Sequence, residues 1–190
     1  MAKMNFLEKL LVNSRLYNWF YRNVTLKKFL EFCRLEGKCL EIGCGAGFTS
    51  AEIMKKFDVE LTSIDYDPEQ VEKAEKRLRG SGVKVMQADA TVLPFGDGEF
   101  DCVVEMNTFH HIREYRKAIR ETHRVLRKGG KFFIMDVSRY MLWPLTKLIP
   151  FEHFDGKFTK FSLMSELEAA GFEVTKHKRR DIFFIACRKP

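Results

Sequence analysis

From about residue 37 onward, short apolar runs alternate with longer segments whose apolar residues recur at helical spacing. This alternation predicts a parallel sheet with helices on both faces. Asp67 followed by Pro68 is typical of a helix start. The predicted strands are residues 38–42, 59–64, 83–86, 100–105, 131–137, 172–177 and 182–187. The predicted helices are residues 46–57, 67–79, 113–126 and 162–170.

The last two predicted strands are separated by only a few residues, 178–181. Antiparallel strands can be joined by so short a loop, whereas parallel strands need a long crossover. The predicted fold class is therefore α/β, with a doubly wound, mostly parallel seven-stranded sheet and one antiparallel strand at its C-terminal end.

A glycine-rich turn, Gly43-Cys44-Gly45-Ala46-Gly47, follows the first predicted strand and leads into a helix. Glycine permits positive φ and lets a ligand approach the backbone closely. Ligands of doubly wound sheets bind at the carboxyl ends of the strands. Asp65 ends the second predicted strand, where a carboxylate can accept hydrogen bonds from both ribose hydroxyls. The turn and this carboxylate together predict a nucleoside site.

Two residues near the turn distinguish between classes of nucleoside cofactor. A dinucleotide motif requires Gly-x-Gly-x-x-Gly, and the third glycine position, counted from Gly43, is Phe48. Glu41 places a carboxylate beside the turn. That charge would repel a pyrophosphate but not a cofactor that carries an ammonium and a sulfonium. These residues favour a cationic amino-acid tail and weaken the alternative of a nucleotide-dependent oxidoreductase.

Five segments, in order, resemble the motifs of the class I S-adenosylmethionine-dependent methyltransferases. The resemblance is close over about residues 37–137, and the nearest subgroup is the small-molecule and quinone-type enzymes. It implies S-adenosyl-L-methionine as cofactor and S-adenosyl-L-homocysteine as product. The segments are Leu40-Glu41-Ile42-Gly43-Cys44-Gly45-Ala46-Gly47, Ser63-Ile64-Asp65-Tyr66, Gln87-Ala88-Asp89-Ala90, Phe100-Asp101-Cys102-Val103-Val104 and Val125-Leu126-Arg127-Lys128-Gly129-Gly130.

The resemblance also implies a role for each residue of the cofactor site. The glycines would shape the floor beneath the methionine part, and Glu41 would meet its ammonium directly or through water. Asp65 would hold the ribose, with Tyr66 against the adenine, and Asp89 would accept from the adenine amino group. The implied cofactor-binding set is Glu41, Gly43, Cys44, Gly45, Gly47, Asp65, Tyr66, Asp89, Ala90, Met106 and Asn107.

The catalytic residue stays open at this stage. His110 and His111 are the candidates, since histidine can act as a general base near neutral pH. In the family, however, histidine here is also a packing and cofactor-contact residue. Methyl transfer often needs only a nucleophile aligned with the sulfonium, so a dedicated base is not required.

Two segments outside the common core are expected to form the acceptor side. Residues 5–32 resemble two amphipathic helices. The family resemblance implies that N-terminal helices close over the cofactor as a lid, and Tyr17 and Tyr21, one helical turn apart, are spaced to line it. Residues 138–161 are rich in aromatics, including Tyr140 and Trp143, which suggests a hydrophobic or flat acceptor. We divide residues 1–190, taken as one domain, into a helical lid (1–36), a cofactor-binding core (37–137), an acceptor-side insertion (138–161) and a C-terminal helix and strand pair (162–190).

The net charge of +7 is concentrated at the two ends of the chain. Residues 1–40 carry eight Lys or Arg against three Glu, and residues 171–190 carry six against two acids. Such ends suit an anionic partner or serve solubility. A basic, aromatic N-terminal helix could rest on anionic lipid. The same ends motivate the alternative of an RNA or protein methyltransferase, and a non-catalytic cofactor-binding subunit is a further alternative.

Other features narrow these expectations. In enzymes that methylate amino groups of nucleic acids, an Asn/Asp-Pro-Pro-aromatic motif follows the fourth strand. Here that place reads Glu105-Met106-Asn107-Thr108-Phe109, which makes a nucleic-acid substrate unlikely. The five cysteines form no Cys-x-x-Cys pair and no zinc-ligand pattern, so we predict reduced thiols, no metal and a cytoplasmic location, with contact to a membrane at its periphery.

Overall fold

The computed structural model describes residues 21–138, 158–178 and 182–190, with the backbone alone for residues 21–23. The strands are β1 (Lys38–Ile42), β2 (Glu60–Asp65), β3 (Lys84–Gln87), β4 (Phe100–Met106), β5 (Leu126–Val137), β6 (Glu173–Lys178) and β7 (Ile182–Arg188). The α-helices are α1 (Lys27–Phe32), α2 (Phe48–Lys56), α3 (Pro68–Leu78), α4 (Tyr115–Val125) and α5 (Lys160–Ala169). A π-helical turn, Tyr21–Leu26, precedes α1, and a 3-10 turn, Phe109–His111, follows β4.

The strands form one seven-stranded sheet in the order β3-β2-β1-β4-β5-β7-β6. The first five strands pair in parallel, and β7 is antiparallel to both β5 and β6. The predicted fold class is therefore confirmed. The strand order reverses at β1, which has β2 on one side and β4 on the other. Such a reversal opens a crevice at the carboxyl ends of the strands.

Helix α3 begins where the sequence predicted, because the Asp67 side chain accepts a hydrogen bond from the backbone N–H of Glu69 at 2.9 Å. Helix α2 begins at Phe48, two residues later than predicted, because Gly47 has left-handed backbone angles with φ of +78°. Glycine adopts this conformation without steric cost, so it marks the boundary between turn and helix.

The sequence prediction was wrong at the start of β5, which was placed at Lys131 after a helix ending at Leu126. In the structure β5 already begins at Leu126, which pairs with Phe100. The N–H of Gly129 donates to the Lys189 carbonyl at 2.8 Å, and the Lys189 N–H donates to Gly130 at 2.9 Å. These hydrogen bonds between segments distant in sequence extend the strand through Gly129 and Gly130, which the local sequence pattern had indicated as the end of a helix.

Two apolar clusters cover the two faces of the sheet. Strand β5 contributes to both, because successive side chains of a strand point to opposite faces. Its Phe132 and Ile134 pack in the cluster that includes α4 and α5, whereas Phe133 and Met135 pack against α1. A central strand buried on both faces is typical of a parallel sheet covered by helices.

Neither membrane spans nor metal centres emerge in the described part of the chain. No helix there is long and apolar enough to cross a membrane. The described His, Cys, Asp and Glu residues form no group of three or more that could hold a metal ion. All five cysteines are buried with free thiols.

Candidate cofactor-binding site

A cavity of about 520 Å³ lies at the carboxyl end of the sheet, beside the reversal of strand order. Its volume lies within the usual range of small-molecule sites. The lining comes from the ends of β1 and β2 and from the segments that follow β2, β3 and β4. The lining residues are Ile42, Gly43, Ile64, Asp65, Tyr66, Ala88, Asp89, Ala90, Thr91, Thr108, Ile112, Arg113 and Glu114.

The three glycines of the turn have positive φ for different physical reasons. A Cβ on Gly43 would lie 2.1 Å from Thr108 Oγ1, so this position requires a close approach to the segment after β4. A Cβ on Gly47 would lie 3.2 Å from that of Ala74, which lets α2 and α3 pack closely. A Cβ on Gly45 would meet no heavy atom within 4 Å. Gly45 therefore leaves open space above the backbone, as a ligand-binding turn requires.

Asp65 connects the glycine turn to the end of β2. Its Oδ2 accepts a hydrogen bond from the Gly45 N–H at 2.8 Å, and its Oδ1 accepts one from the Asp67 N–H at 2.9 Å. The side chain is only 8% exposed but lines the cavity. Burial raises the pKa of this carboxyl, and the backbone donors partly offset the rise. Asp65 thus lies where the sequence placed it and also fixes the shape of the turn.

Tyr66 directly follows Asp65 at the end of β2, and Asp89 lies just after the end of β3, along the same cavity. Asp89 Oδ1 accepts hydrogen bonds from the Thr91 N–H and from Thr91 Oγ1, both at 2.8 Å, and Asp89 stays exposed. The ring of Tyr66 is also exposed, at 49%. Together with Ala90, these residues line the cavity, and their cofactor contacts stay predictions. Two carboxylates at neighbouring strand ends, an aromatic ring and the open backbone of Gly45 fit an adenosine with a cationic tail.

Glu41 lies beneath the turn and not in the cavity lining. It is 1% exposed, and its Oε2 accepts hydrogen bonds from Ser50 Oγ at 2.5 Å and from Ser63 Oγ at 2.8 Å. Burial raises the pKa of Glu41 to about 7, and the two hydroxyl donors oppose this rise. Glu41 therefore joins β1, β2 and α2 in one buried network. Its contact with a cofactor ammonium stays a prediction.

The raised pKa of Glu41 predicts a pH-dependent stability. The folded state holds this proton more tightly than the unfolded chain, so its contribution is complete below about pH 4.5 and is lost as the pH rises through about 7. Relative to Glu41→Gln, which cannot titrate, the wild type should lose about 3 kcal/mol of unfolding free energy across this range. Urea unfolding from about pH 5 to about pH 8 measures the difference. Parallel pH curves for the two proteins would contradict the assignment.

Gly45 and Gly47 lie outside the cavity lining, and so do three further predicted cofactor residues. Cys44 packs against α3 in a small apolar cluster. Met106 is buried, and its sulfur accepts a hydrogen bond from Thr49 Oγ1 at 3.4 Å. Asn107 has a φ of +54°, and its N–H donates to the Met135 carbonyl at 2.7 Å. The structure thus places these three residues around the turn and the end of β4, and their cofactor contacts stay predictions.

The segment after β4 contributes more to the cavity than the sequence reasoning recognised. Ile112, Arg113 and Glu114 line it, as does Thr108. A general rule could have identified these residues from the sequence, because they follow the carboxyl end of a parallel strand, where ligands bind. His110 is 6% exposed, and neither it nor His111 lines the cavity.

The residues predicted to form the acceptor side fall outside the described side chains. Tyr17, Tyr140 and Trp143 lie outside the described residues, and only the backbone of Tyr21 is described. Their expected role as the opposite wall of the site remains a sequence-based prediction.

Comparisons with known proteins identify the family of this chain. A family model described as "Methyltransferase domain" matches residues 40–134. The uncharacterized methyltransferase YcgJ of Bacillus subtilis is 37% identical over 107 residues, which cover 55% of this chain and 42% of YcgJ. A chloroplastic 2-methyl-6-phytyl-1,4-hydroquinone methyltransferase of rice (Oryza sativa subsp. japonica) is 37% identical over 94 residues, which cover 49% of this chain and 27% of that protein. The chain thus spans less than half the length of these curated relatives.

The fold extends beyond the matched core. A chain of the solved complex between the Haloferax volcanii Trm112 methyltransferase activator and a provisionally assigned methyltransferase superposes with a TM-score of 0.82. The superposition covers 100% of both chains at 15% identity, which indicates a shared fold. Sheet order, glycine turn and family match converge: this chain belongs to the class I S-adenosylmethionine-dependent methyltransferases.

Proposed function

We propose that the cavity binds S-adenosylmethionine and that the protein transfers its methyl group to a small hydrophobic acceptor of the lipid or quinone type. The observation that carries the proposal is the cavity itself, which Asp65 and Asp89 line at successive strand ends, with Asp65 hydrogen-bonded to the N–H of Gly45 in the turn. Hydroxyls and an amino group are the adenosine donors that two such carboxylates suit.

Each part of the cavity has a distinct task in this proposal. When bound, the cofactor supplies a methyl group activated by a positively charged sulfonium. Asp65 holds the ribose and keeps the turn in shape through Gly45. Apolar Ile42 and Ile64 exclude water from the nucleoside. Thr108 keeps the segment after β4 against the turn, because its Oγ1 donates to the carbonyl of Ile42 at 3.3 Å.

The hydrophobic acceptor rests on two lines of support. The rice relative, by its name, methylates a hydroquinone with a phytyl chain. The segment 138–161 of this chain is rich in aromatic residues, which suits a flat or apolar acceptor. A non-catalytic subunit that binds the cofactor without turnover is the alternative, and it makes a different experimental prediction.

A transfer assay tests the function. The protein would be incubated with S-adenosylmethionine radiolabelled in the methyl group and with hydroquinone, sterol, small-amine and RNA fractions. We expect label in the hydroquinone or another apolar fraction. Cofactor binding with no label transferred to any fraction would favour the non-catalytic alternative. Calorimetry that shows no heat with S-adenosylhomocysteine would overturn the cofactor site.

We further propose that a basic surface carries the protein to anionic membranes, where an apolar acceptor would dissolve. Lys176 and Lys178 on β6 lie over the ring of Phe32 in α1, 4.8 and 6.0 Å from its centroid. Lys27 and Lys28 are exposed on the same helix. Exposed lysines of α1 and β6 therefore lie on one surface, and such a surface suits anionic headgroups.

Vesicle binding tests this surface. Cosedimentation with phosphatidylserine-containing vesicles should fall at least several-fold in Lys176→Glu/Lys178→Glu, since each basic residue near the surface contributes about 1 kcal/mol. The matched control is Lys73→Glu/Lys84→Glu, which makes the same charge change at exposed positions on α3 and β3. Equal loss in both variants, or no wild-type binding at low salt, would contradict the proposal.

A further inference from the structure

Three buried titratable residues meet beside the cofactor cavity without lining it. Glu105 lies near the carboxyl end of β4, Asp136 lies near the carboxyl end of β5, and His110 lies in the 3-10 turn. Their exposures are 0%, 0% and 6%. Glu105 on β4 pairs with Ile134 on β5. Asp136 lies two residues after Ile134 and therefore points to the same face of the sheet. Both carboxyls thus project from one face.

The two carboxyl groups hold the turn that carries His110. Glu105 Oε1 accepts hydrogen bonds from the N–H groups of Thr108 at 2.5 Å and Phe109 at 3.1 Å. Asp136 Oδ2 accepts from the N–H of His110 at 3.2 Å. Asp136 Oδ1 also lies 2.5 Å from Nδ1 of the His110 ring. Three consecutive backbone donors and one imidazole nitrogen are thus fixed by two carboxyls.

The close approach of the two carboxyls limits how many of them can be charged. Two adjacent buried carboxyls cannot both be ionised without a large cost. Burial and the neighbouring Asp136 raise the pKa of Glu105 well above its usual range, so Glu105 is the neutral member. Its Oε2 is buried and meets no hydrogen-bond partner among the described residues. Asp136 Oδ1 lies against His110 Nδ1 and can accept a hydrogen bond from it.

We propose that Asp136 is a positioning residue that holds His110 in the Nδ1–H tautomer, and that His110 Nε2 accepts the proton of the methyl acceptor. This inference rests on the proposed methyltransferase function. His110 lies between Thr108 and Ile112, which both line the cavity, so the turn that carries it forms part of the site wall. As the acceptor heteroatom takes up the methyl group, its proton passes to Nε2. Asp136 Oδ1 keeps its contact with Nδ1 and so holds the ring in place while Nε2 carries the proton, which is later lost to solvent.

A structural role alone accounts less well for this cluster. The two carboxyls do hold the backbone of the turn, but replacement of a whole buried ionic cluster by apolar side chains of similar volume is often neutral or stabilising. Buried charged groups with a specific partner beside a cavity are typical of functional sites. The proposal also narrows the substrate class. An acceptor that needs a base carries a proton on the methylated atom, as a phenol, hydroquinone hydroxyl or amine does and a thioether does not.

Nitrogen NMR of the imidazole rings tests the tautomer without any acceptor. Protein labelled with ¹⁵N-histidine would be studied with S-adenosylhomocysteine by long-range ¹H–¹⁵N correlation, and His110→Gln would assign the signals. We expect a single Nδ1–H tautomer for His110 at slightly alkaline pH. An Nε2–H tautomer, or an equal mixture of both, would overturn the inference. Free histidine in the same buffer serves as the reference for an unconstrained ring.

Two variants separate Asp136 from its neighbour. Asp136→Asn should populate the Nε2–H tautomer, whereas Glu105→Gln should retain the wild-type signals because a carboxamide replaces a neutral acid. On the acceptor found by the transfer assay, Asp136→Asn should lower kcat by roughly 10²–10⁴-fold and leave affinity for S-adenosylhomocysteine unchanged. An unchanged kcat would overturn the proposal. If Asp136→Asn does not fold, the wild-type tautomer decides. Lack of S-adenosylhomocysteine binding instead rejects the proposed function, independently of the tautomer.

Discussion

Replacement of Asp65 by Ala is expected to weaken binding of S-adenosylhomocysteine by roughly 10²–10³-fold. The carboxylate accepts hydrogen bonds from the N–H groups of Gly45 and Asp67 and borders the cavity. Hydrogen bonds to a charged group contribute about 1.5–3 kcal/mol each, and about 1.4 kcal/mol corresponds to a tenfold change in affinity. The variant loses the ribose acceptor and loosens the turn at the same time. Isothermal titration calorimetry measures the loss.

Two further variants make this result specific. Glu60→Ala removes an exposed carboxylate from the opposite end of the same strand and should leave affinity unchanged. Asp65→Asn keeps one acceptor oxygen and should retain part of the affinity. If Asp65→Ala bound S-adenosylhomocysteine as tightly as Glu60→Ala does, the nucleoside site would have to lie elsewhere.

Replacement of Gly43 by Ala is expected to lower the free energy of unfolding by about 3 kcal/mol or more. The new Cβ would lie 2.1 Å from Thr108 Oγ1 and 2.7 Å from its Cβ, at a φ of +75°. Left-handed backbone strain costs about 1–2 kcal/mol in a non-glycine residue, and overpacking adds about 1–3 kcal/mol. Because Thr108 lines the cavity, the displaced segment should also weaken cofactor binding. Chemical denaturation and calorimetry measure the two effects.

Gly45→Ala is the matched control for Gly43→Ala. It has a φ of +51° but no heavy atom within 4 Å of its new Cβ, so it should show the backbone strain without the clash. Adding Thr108→Ala to Gly43→Ala should restore part of the lost stability, since it removes two of the three clashing atoms. Equal destabilisation in Gly43→Ala and Gly45→Ala would show that the contact with Thr108 is not what demands glycine.

Residues whose roles depend on nearby sequence were predicted successfully in position. Gly43, Asp65 and Asp89 follow apolar runs, and parallel strands bring their carboxyl ends to one edge of the sheet. The pattern of runs and the short connection before β7 were enough to predict the sheet and its antiparallel strand. Boundaries were less accurate where contacts distant in sequence decide, as with Lys189 beside the first residues of β5.

Glu41 shows why adjacency in sequence does not settle a role. It lies two residues before Gly43, the first residue of the turn, but the alternation of side chains along β1 directs it away from the face of Ile42. Ser50 on α2 and Ser63 on β2 both donate hydrogen bonds to the Glu41 carboxyl and enclose this side chain. The side chain that sequence placed beside the ligand is therefore a buried group with a pKa of about 7.

The sequence by itself determined the strand–helix alternation, the glycine turn, and the carboxylates of the proposed adenosine site. These features arise from local patterns that one strand, one turn and the next helix dictate. Only the tertiary structure decided that Asp136 meets His110, 26 residues earlier, and that Thr108 presses against Gly43. Such contacts depend on strand register and on which side chains share a face, and a local pattern does not encode either.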